Sequence, residues 1–181
     1  MSLSAVLLFE DEIQLHLFPV LGRAWALKGE QARVGITAKN AKGVLFGTIN
    51  LRTGHRIVMR QRRLNQDGFQ AFLRVLRRRY PGRQIWLVLD EATAHTAPQS
   101  QFLADTLDIQ LVWLPRQCPE LNAMDHLWKE LRANIAANYQ YETIEQHAAV
   151  AEHYTLKLTN RQALKKAGIL SKNFWLKSFL K

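Results

Sequence analysis

Ile85-Trp86-Leu87-Val88-Leu89-Asp90-Glu91 is an unbroken run of five apolar residues that stops on two acids. A run this short, rich in branched and aromatic side chains, reads as a buried strand. Ala5-Val6-Leu7-Leu8-Phe9 repeats the pattern and meets Glu10-Asp11-Glu12, so a second buried strand is expected to end at its own acids. Between the two the period changes. Phe69, Phe72, Leu73, Leu76 and Tyr80 recur at helical spacing, Arg74, Arg77 and Arg78 fall on the other face, and Pro81-Gly82 stops the helix. Pro98 to about Leu107 reads as a further helix, and Ile109–Leu114 as a strand closed by Pro115. Asn122 then suits an N-cap, with Leu121, Met124, Leu127, Trp128, Leu131 and Ile135 forming the apolar stripe behind it. Helix, strand, helix, strand, helix implies parallel crossovers, hence an α/β class with a mixed sheet.

Upstream, Val44–Leu51 and Arg56–Arg60 read as a hairpin turning at residues 52–55. Arg23–Leu27 and Arg33–Thr37 are weaker strand candidates around a Lys28-Gly29 turn. Downstream, Thr143 with Gln146 resembles a capping box opening a helix to about His153, and the Lys-rich residues 157–181 suit one or two short helices. The expected division is a core over 1–140 and a basic helical extension over 141–181 packed on it.

Composition narrows the function classes. The chain has 181 residues, 48% hydrophobic and 22% charged, enough apolar material for a real core and against disorder. A single cysteine excludes a disulfide scaffold and paired-Cys zinc sites, and fits a reducing compartment such as the cytosol. No apolar run approaches the roughly 20 residues that span a bilayer. The acids at residues 10–12 exclude a signal peptide. No membrane association is expected.

The net charge of +10 is unevenly spread. Residues 52–83 hold ten arginines and one acid, residues 84–150 nine acids and three bases, and residues 151–181 seven bases and one acid. Two basic blocks therefore flank an acidic centre. Arginine clusters that exclude carboxylates suit a polyanion, through counterion release and forked phosphate contacts. A solvated helix face is the alternative for any single arginine.

Asp11 and Asp90 stand at the ends of apolar strands, where ligands bind in open α/β sheets. Asp125, on the first turn of the helix after the last strand, enters at the same end. Three converging carboxylates repel unless a cation lies between them, and hard oxygens without a Cys or His pair select Mg²⁺ or Mn²⁺. Structural alternatives stand beside this: Asp125 also suits a helix start and an ion pair with Lys129, and Asp90-Glu91 a strand-end turn.

The words around these acids resemble the catalytic domain of the DDE transposases of the mariner-like superfamily, in particular its bacterial insertion-sequence branch. Phe9-Glu10-Asp11-Glu12 and Trp25-Ala26-Leu27-Lys28-Gly29 are similar to its first motif. Leu87-Val88-Leu89-Asp90-Glu91-Ala92 with His95 is similar to its second. Leu114-Pro115 followed by Cys118-Pro119-Glu120-Leu121-Asn122-Ala123-Met124-Asp125 and Trp128 is similar to its third, and 34 residues separate Asp90 from Asp125, the superfamily spacing. The match covers about residues 5–135. Departures are Glu91 for Asn, Cys118 for Ser, Ala123 for Pro and Asp125 for the branch's usual Glu, although an all-Asp triad occurs in mariner relatives.

The resemblance implies an RNase H-like fold: a five-stranded mixed sheet, first three strands antiparallel, with helices on both faces. It implies that Asp11, Asp90 and Asp125 are catalytic and hold two Mg²⁺ (or Mn²⁺) ions. DNA would be cleaved at transposon ends and the 3′-hydroxyl transferred into target DNA, typically at TA. Double-stranded DNA is the expected partner, and Arg52, Arg56, Arg60, Arg62 and Arg63, then Arg74, Arg77 and Arg78, are the expected contacts. Glu12, Glu91, His95 and His126 are auxiliary candidates beside the ligands. A homodimer in the bacterial cytoplasm, associated with the nucleoid, is implied. The family's helix-turn-helix modules find no room before the first strand, so a second chain or frame, trimming or loss is expected. The alternatives are a plain metal-dependent nuclease, or an impaired, domesticated remnant that binds DNA without specificity.

Overall fold

A computed structural model describes residues 5–180; residues 1–4 and 181, at the outer ends of the two expected units, lie outside the described residues. Five strands, β1 (Val6–His16), β2 (Lys42–Asn50), β3 (Arg56–Gln61), β4 (Ile85–Leu89) and β5 (Ile109–Trp113), form one sheet in the order β3-β2-β1-β4-β5. β1, β2 and β3 pair antiparallel, and β4 and β5 continue parallel to β1. Helices α1 (Gln66–Arg79), α2 (Thr93–Thr96) and α3 (Pro98–Thr106) lie on one face. Helices α4 (Ala123–Leu131), α5 (Ile144–Lys157) and α6 (Asn160–Lys166) lie on the other. The α/β class with a mixed sheet and helices on both faces is thus the observed one.

Each face has its own core. Val6, Leu8, Phe46, Leu87 and Leu89 pack on Phe69, Phe72, Leu73 and Leu76 of α1. Phe9, Ile13, Leu45, Ile49 and Val88 pack on Met124, Leu127, Trp128 and Leu131 of α4, joined by Ala148, Ala151, Ala163 and Leu176. The local signals act as they should. Asn65 caps α1 by accepting from the Gly68 amide at 3.0 Å, and Thr143 caps α5 by accepting from Gln146 at 3.1 Å. A full capping box, Thr159 with Gln162, opens α6.

Three expectations give way. β1 does not end at Phe9 but runs through its acids to His16, because β2 pairs with it residue by residue from Leu8↔Asn50 to His16↔Lys42. Residues 23–27 and 33–37 are not strands; residues 21–33 are exposed, with no neighbouring strand to satisfy them. Only the Lys28-Gly29 turn forms there. The last α5 turn extends to Lys157 rather than His153. Among the described residues, no helix is long and apolar enough to cross a membrane.

Gly47 lies opposite Asp11 in the β1–β2 register, beneath Trp128 and Met124. A Cβ there would stand 2.4 Å from Trp128 Cζ2 and 2.6 Å from Met124 Cε. Trp128 is fully buried and cannot step aside without moving α4. Gly47→Ala is therefore expected to destabilise the protein by about 1–3 kcal/mol, read as a lower midpoint in urea. An unchanged midpoint would show that α4 accommodates the methyl group.

Candidate active site

The parallel register sets Phe9 of β1 opposite Val88 of β4. The pairing ends there, and Asp11 and Asp90 each lie two residues beyond it on their own chains, Asp90 directly after the last residue of β4. Asp11 shares the strand face of Phe9 and Ile13 and so points toward α4. Asp125 lies in the first turn of that helix. All three aspartates line one cleft of about 380 Å³, walled on its far side by the loop that carries Arg116 and Cys118.

Asn122 fixes the helix to the strand. Its side-chain oxygen accepts from the Met124 amide at 3.0 Å, which caps α4. Its side-chain nitrogen donates to the Glu10 carbonyl at 2.7 Å, one residue from Asp11. The cap was legible in the sequence; the bond to β1 was not, because its partner lies 112 residues away. Behind the loop, Trp175 Nε1 donates to the Leu121 carbonyl at 3.0 Å, while Phe174 and Trp175 set their rings edge-on to Phe9.

The three carboxylates of this cleft are unevenly compensated. Burial, then the charges of Glu12 and Asp125, push the Asp11 carboxyl up to about 8. Asp90 is held below the usual carboxylate range, chiefly by the hydrogen bond from His95. Asp125 pairs with Lys129 at 2.7 Å, the helical pair foreseen as its structural alternative. Glu91, the departure beside Asp90, pairs with Arg116 at 2.5 Å.

His95 belongs to the opposite face. It is buried, and its Nδ1 donates to Asp90 Oδ1 at 3.0 Å while Nε2 donates to Glu12 Oε1 at 2.8 Å. Burial works against its charge, but the Glu10 charge and the bonds to Asp90 and Glu12 outweigh that and push it up to about 11. Glu10, absent from the expected site, lies at its back with a carboxyl raised well above the usual range by burial and by Glu12. Among the described residues, Glu10, Glu12 and His95 have ligand atoms all within 4.8 Å of one another. His126 turns away from the cleft and donates to the Ala167 carbonyl at 3.2 Å, tying α4 to the C-terminal segment.

The arginines divide. Arg56 is buried and donates to the carbonyls of Gly54, Thr155, Leu156 and Leu158 and to Asn160, so it holds the end of α5 rather than phosphate. Arg77 donates to the carbonyls of Leu107, Tyr80 and Arg83 and closes the end of α1. Arg52 is exposed but sits in the hairpin turn beside Leu7 and Leu51, at the end of the sheet away from Asp11. Arg60 pairs with Glu152 at 2.8 Å. Arg62 and Arg63 are exposed and follow β3 at the acidic end; Arg74 and Arg78 are exposed along α1. Arg132 was missed. It lines a groove that also contains Asp11 and Asp90, and its spacing of seven residues from Asp125, two helical turns, was the available signal.

The family model of the DDE superfamily endonucleases matches residues 6–147, a span containing all three aspartates. A relative from Shigella sonnei, the insertion element IS630 uncharacterized 39 kDa protein, is 27% identical over 148 residues, 81% of this chain and 43% of its own length. The crystal structure of the mariner Mos1 paired end complex with Mg superposes with a TM-score of 0.72 at 17% identity, over 99% of this chain and 57% of that one. The catalytic domain of Mos1 mariner transposase gives 0.63 at 15% identity, over 93% and 78%. These likenesses show that the fold is RNase H-like. The chain spans less than half the length of the IS630 relative.

The raised Asp11 carboxyl fixes a pH dependence. In the folded protein it keeps its proton up to a pH of about 8. The unfolded chain releases that proton near pH 4. Stability is therefore lost as pH rises from about 4 to about 8. Without divalent metal, Asp11→Asn is expected to be the more stable protein at pH 7.5 by on the order of 2–4 kcal/mol. Thermal melts across pH 5–8 should show the gap widening with pH; a gap that is constant or narrows would contradict the placement of Asp11.

Proposed function

The chain belongs to the DDE superfamily endonucleases, and from that premise we propose that it is the catalytic domain of a DNA transposase. It cleaves phosphodiester bonds at transposon ends and transfers the resulting 3′-hydroxyl into target DNA, at TA steps and as a homodimer. Three aspartates from three separate elements on one cleft, with Asp11 raised by burial and then by its charged neighbours, carry this reading. The donor set is all hard oxygen, which fits divalent magnesium or manganese. Mos1 structures of the same fold were solved with a left transposon end, with Mg and with Mn, which supports DNA and divalent ions as the ligands here.

Asp11, Asp90 and Asp125 would hold a pair of such ions, which when bound supply an activated water and a neutralised leaving oxygen. The chain's own contribution is placement. β1 and β4 hold Asp11 and Asp90 side by side, and Asn122 locks the start of α4 to β1 so that Asp125 keeps its distance. Lys129 must leave Asp125 when a cation arrives, and neutralises that carboxylate until then. Arg116 neutralises Glu91, so the departure from the family's Asn adds no free charge beside Asp90. That pairing supports an active copy over an impaired one. Arg62, Arg63 and Arg132, exposed at the acidic end, are the proposed phosphate contacts, with Arg74 and Arg78 further along α1.

Supercoiled plasmid with Mn²⁺ is expected to be nicked by the chain and left intact by Asp90→Ala. Pre-cleaved ends bearing a free 3′-hydroxyl should be joined to a target. Nicking without joining would assign a plain nuclease, and nicking unchanged in Asp90→Ala would refute the cleft as the site. Arg62→Ala with Arg63→Ala should weaken DNA binding uniformly across sequences and reduce the salt slope by about 2. An unchanged slope would exclude these two arginines from phosphate contact.

A further inference from the structure

The cleft takes up one face of β1, and the other face carries a second polar constellation on the α1 side of the protein, buried except at Glu12, which also lines the groove of Asp11, Asp90 and Arg132. Glu10 is fully buried, and neither of its carboxylate oxygens has a hydrogen-bond partner. Thr48, directly opposite Glu10 in the β1–β2 register, is also buried, and its hydroxyl is likewise without a partner. Glu12 Oε1 lies 2.8 Å and Glu10 Oε2 3.6 Å from the same atom, His95 Nε2. The Phe69 ring covers the imidazole at 4.4 Å between centroids. Leaving such groups unpaired in an apolar interior is costly, so orphans gathered at one point need an explanation.

A proton on His95 does not supply it. Nδ1–H is committed to Asp90, and a hydrogen on Nε2 points one way, toward Glu12. Glu10 and the Thr48 hydroxyl remain unserved. Two carboxyl groups around a single imidazole nitrogen leave oxygens without a partner at one spot, and a cation that accepts several oxygen donors would satisfy them. The ring is held as metal-bound imidazoles are: one nitrogen bonded to a carboxylate, the other aimed at the candidate ligand position.

We propose that Glu10, Glu12 and His95 Nε2 form a site for one divalent transition-metal ion, Zn²⁺ or Mn²⁺, distinct from the aspartate cleft and structural in role. One imidazole with two carboxylates suits these borderline ions better than Mg²⁺ or Ca²⁺. An ion there places a charge of +2 between the glutamates, and the Thr48 hydroxyl gains a charged neighbour. Because His95 Nδ1 holds Asp90, an occupied site stiffens the support of one wall of the cleft. Nothing in this depends on DNA transposition, and failure of either leaves the other standing.

The test uses the full chain carrying Asp11→Asn and Asp125→Asn, which disables the cleft as a metal site. The protein is refolded from urea with Zn²⁺ or with Mn²⁺, desalted, and its metal content measured by mass spectrometry. About one ion per chain should be retained with at least one of the two metals, with a raised melting temperature. Adding Glu10→Gln should reduce retention at least tenfold while leaving the metal-free protein folded. Anomalous diffraction at the metal's absorption edge locates the ion without relying on that variant, and should place it among Glu10, Glu12 and His95. No retained ion with either metal, equal retention in Glu10→Gln, or an anomalous peak elsewhere with none at this cluster would overturn the proposal.

Discussion

Three consecutive carboxylates pass through the middle of this protein on β1, and the two-residue alternation of a strand is what keeps them apart. Asp11 turns to the α4 face, while Glu10 and Glu12 turn to the α1 face and meet His95. A slip of one residue would exchange the two sets. The register is held by nine pairs with β2, by the two apolar cores, and by Gly47, whose missing side chain leaves the space over Asp11's neighbour to Trp128. Everything at the cleft follows from that register.

Two side chains convert the strand into a site. His95 reaches through from one face to hold Asp90, the residue shared by both constellations. Asn122 does the same for the other wall by capping α4 and bonding to the Glu10 backbone at once. The three aspartates thus come from elements far apart in sequence, yet each is one hydrogen bond or one strand pairing from β1. The C-terminal segment joins in through Trp175, whose ring nitrogen holds the loop before α4. Positioning of this kind suits phosphoryl chemistry, where the protein's task is placement and charge compensation.

Much of the fold was legible because its signals are local. β4 and β5 are short apolar runs bounded by acids or proline, α1 has its stripe and stop, and Asn122 is a cap readable within three residues. The extent of β1 was not legible because buried acids are uncommon, and the β2 residues whose pairing carries the strand past them are distant in sequence. Residues 23–37 have strand-like content but no partner strand. The arginines show the same limit from the other side. Arg56 and Arg62 look alike in a basic block, yet α5 and α6, a hundred residues on, enclose the first and leave the second at the acidic edge. The aspartates of the cleft could be named in advance because their surrounding words matched a family; Glu10 stood within those words without a role of its own, and Arg132 lay outside them.

The most direct test is an anomalous difference map at the manganese edge from crystals of the intact chain equilibrated with Mn²⁺. Density within coordinating distance of Asp11 and Asp90, with Asp125 released from Lys129, is the expected result. Saturating Mn²⁺ that leaves the space between Asp11 and Asp90 empty, with the Asp125–Lys129 pair intact, would contradict the assignment of the cleft as the catalytic centre.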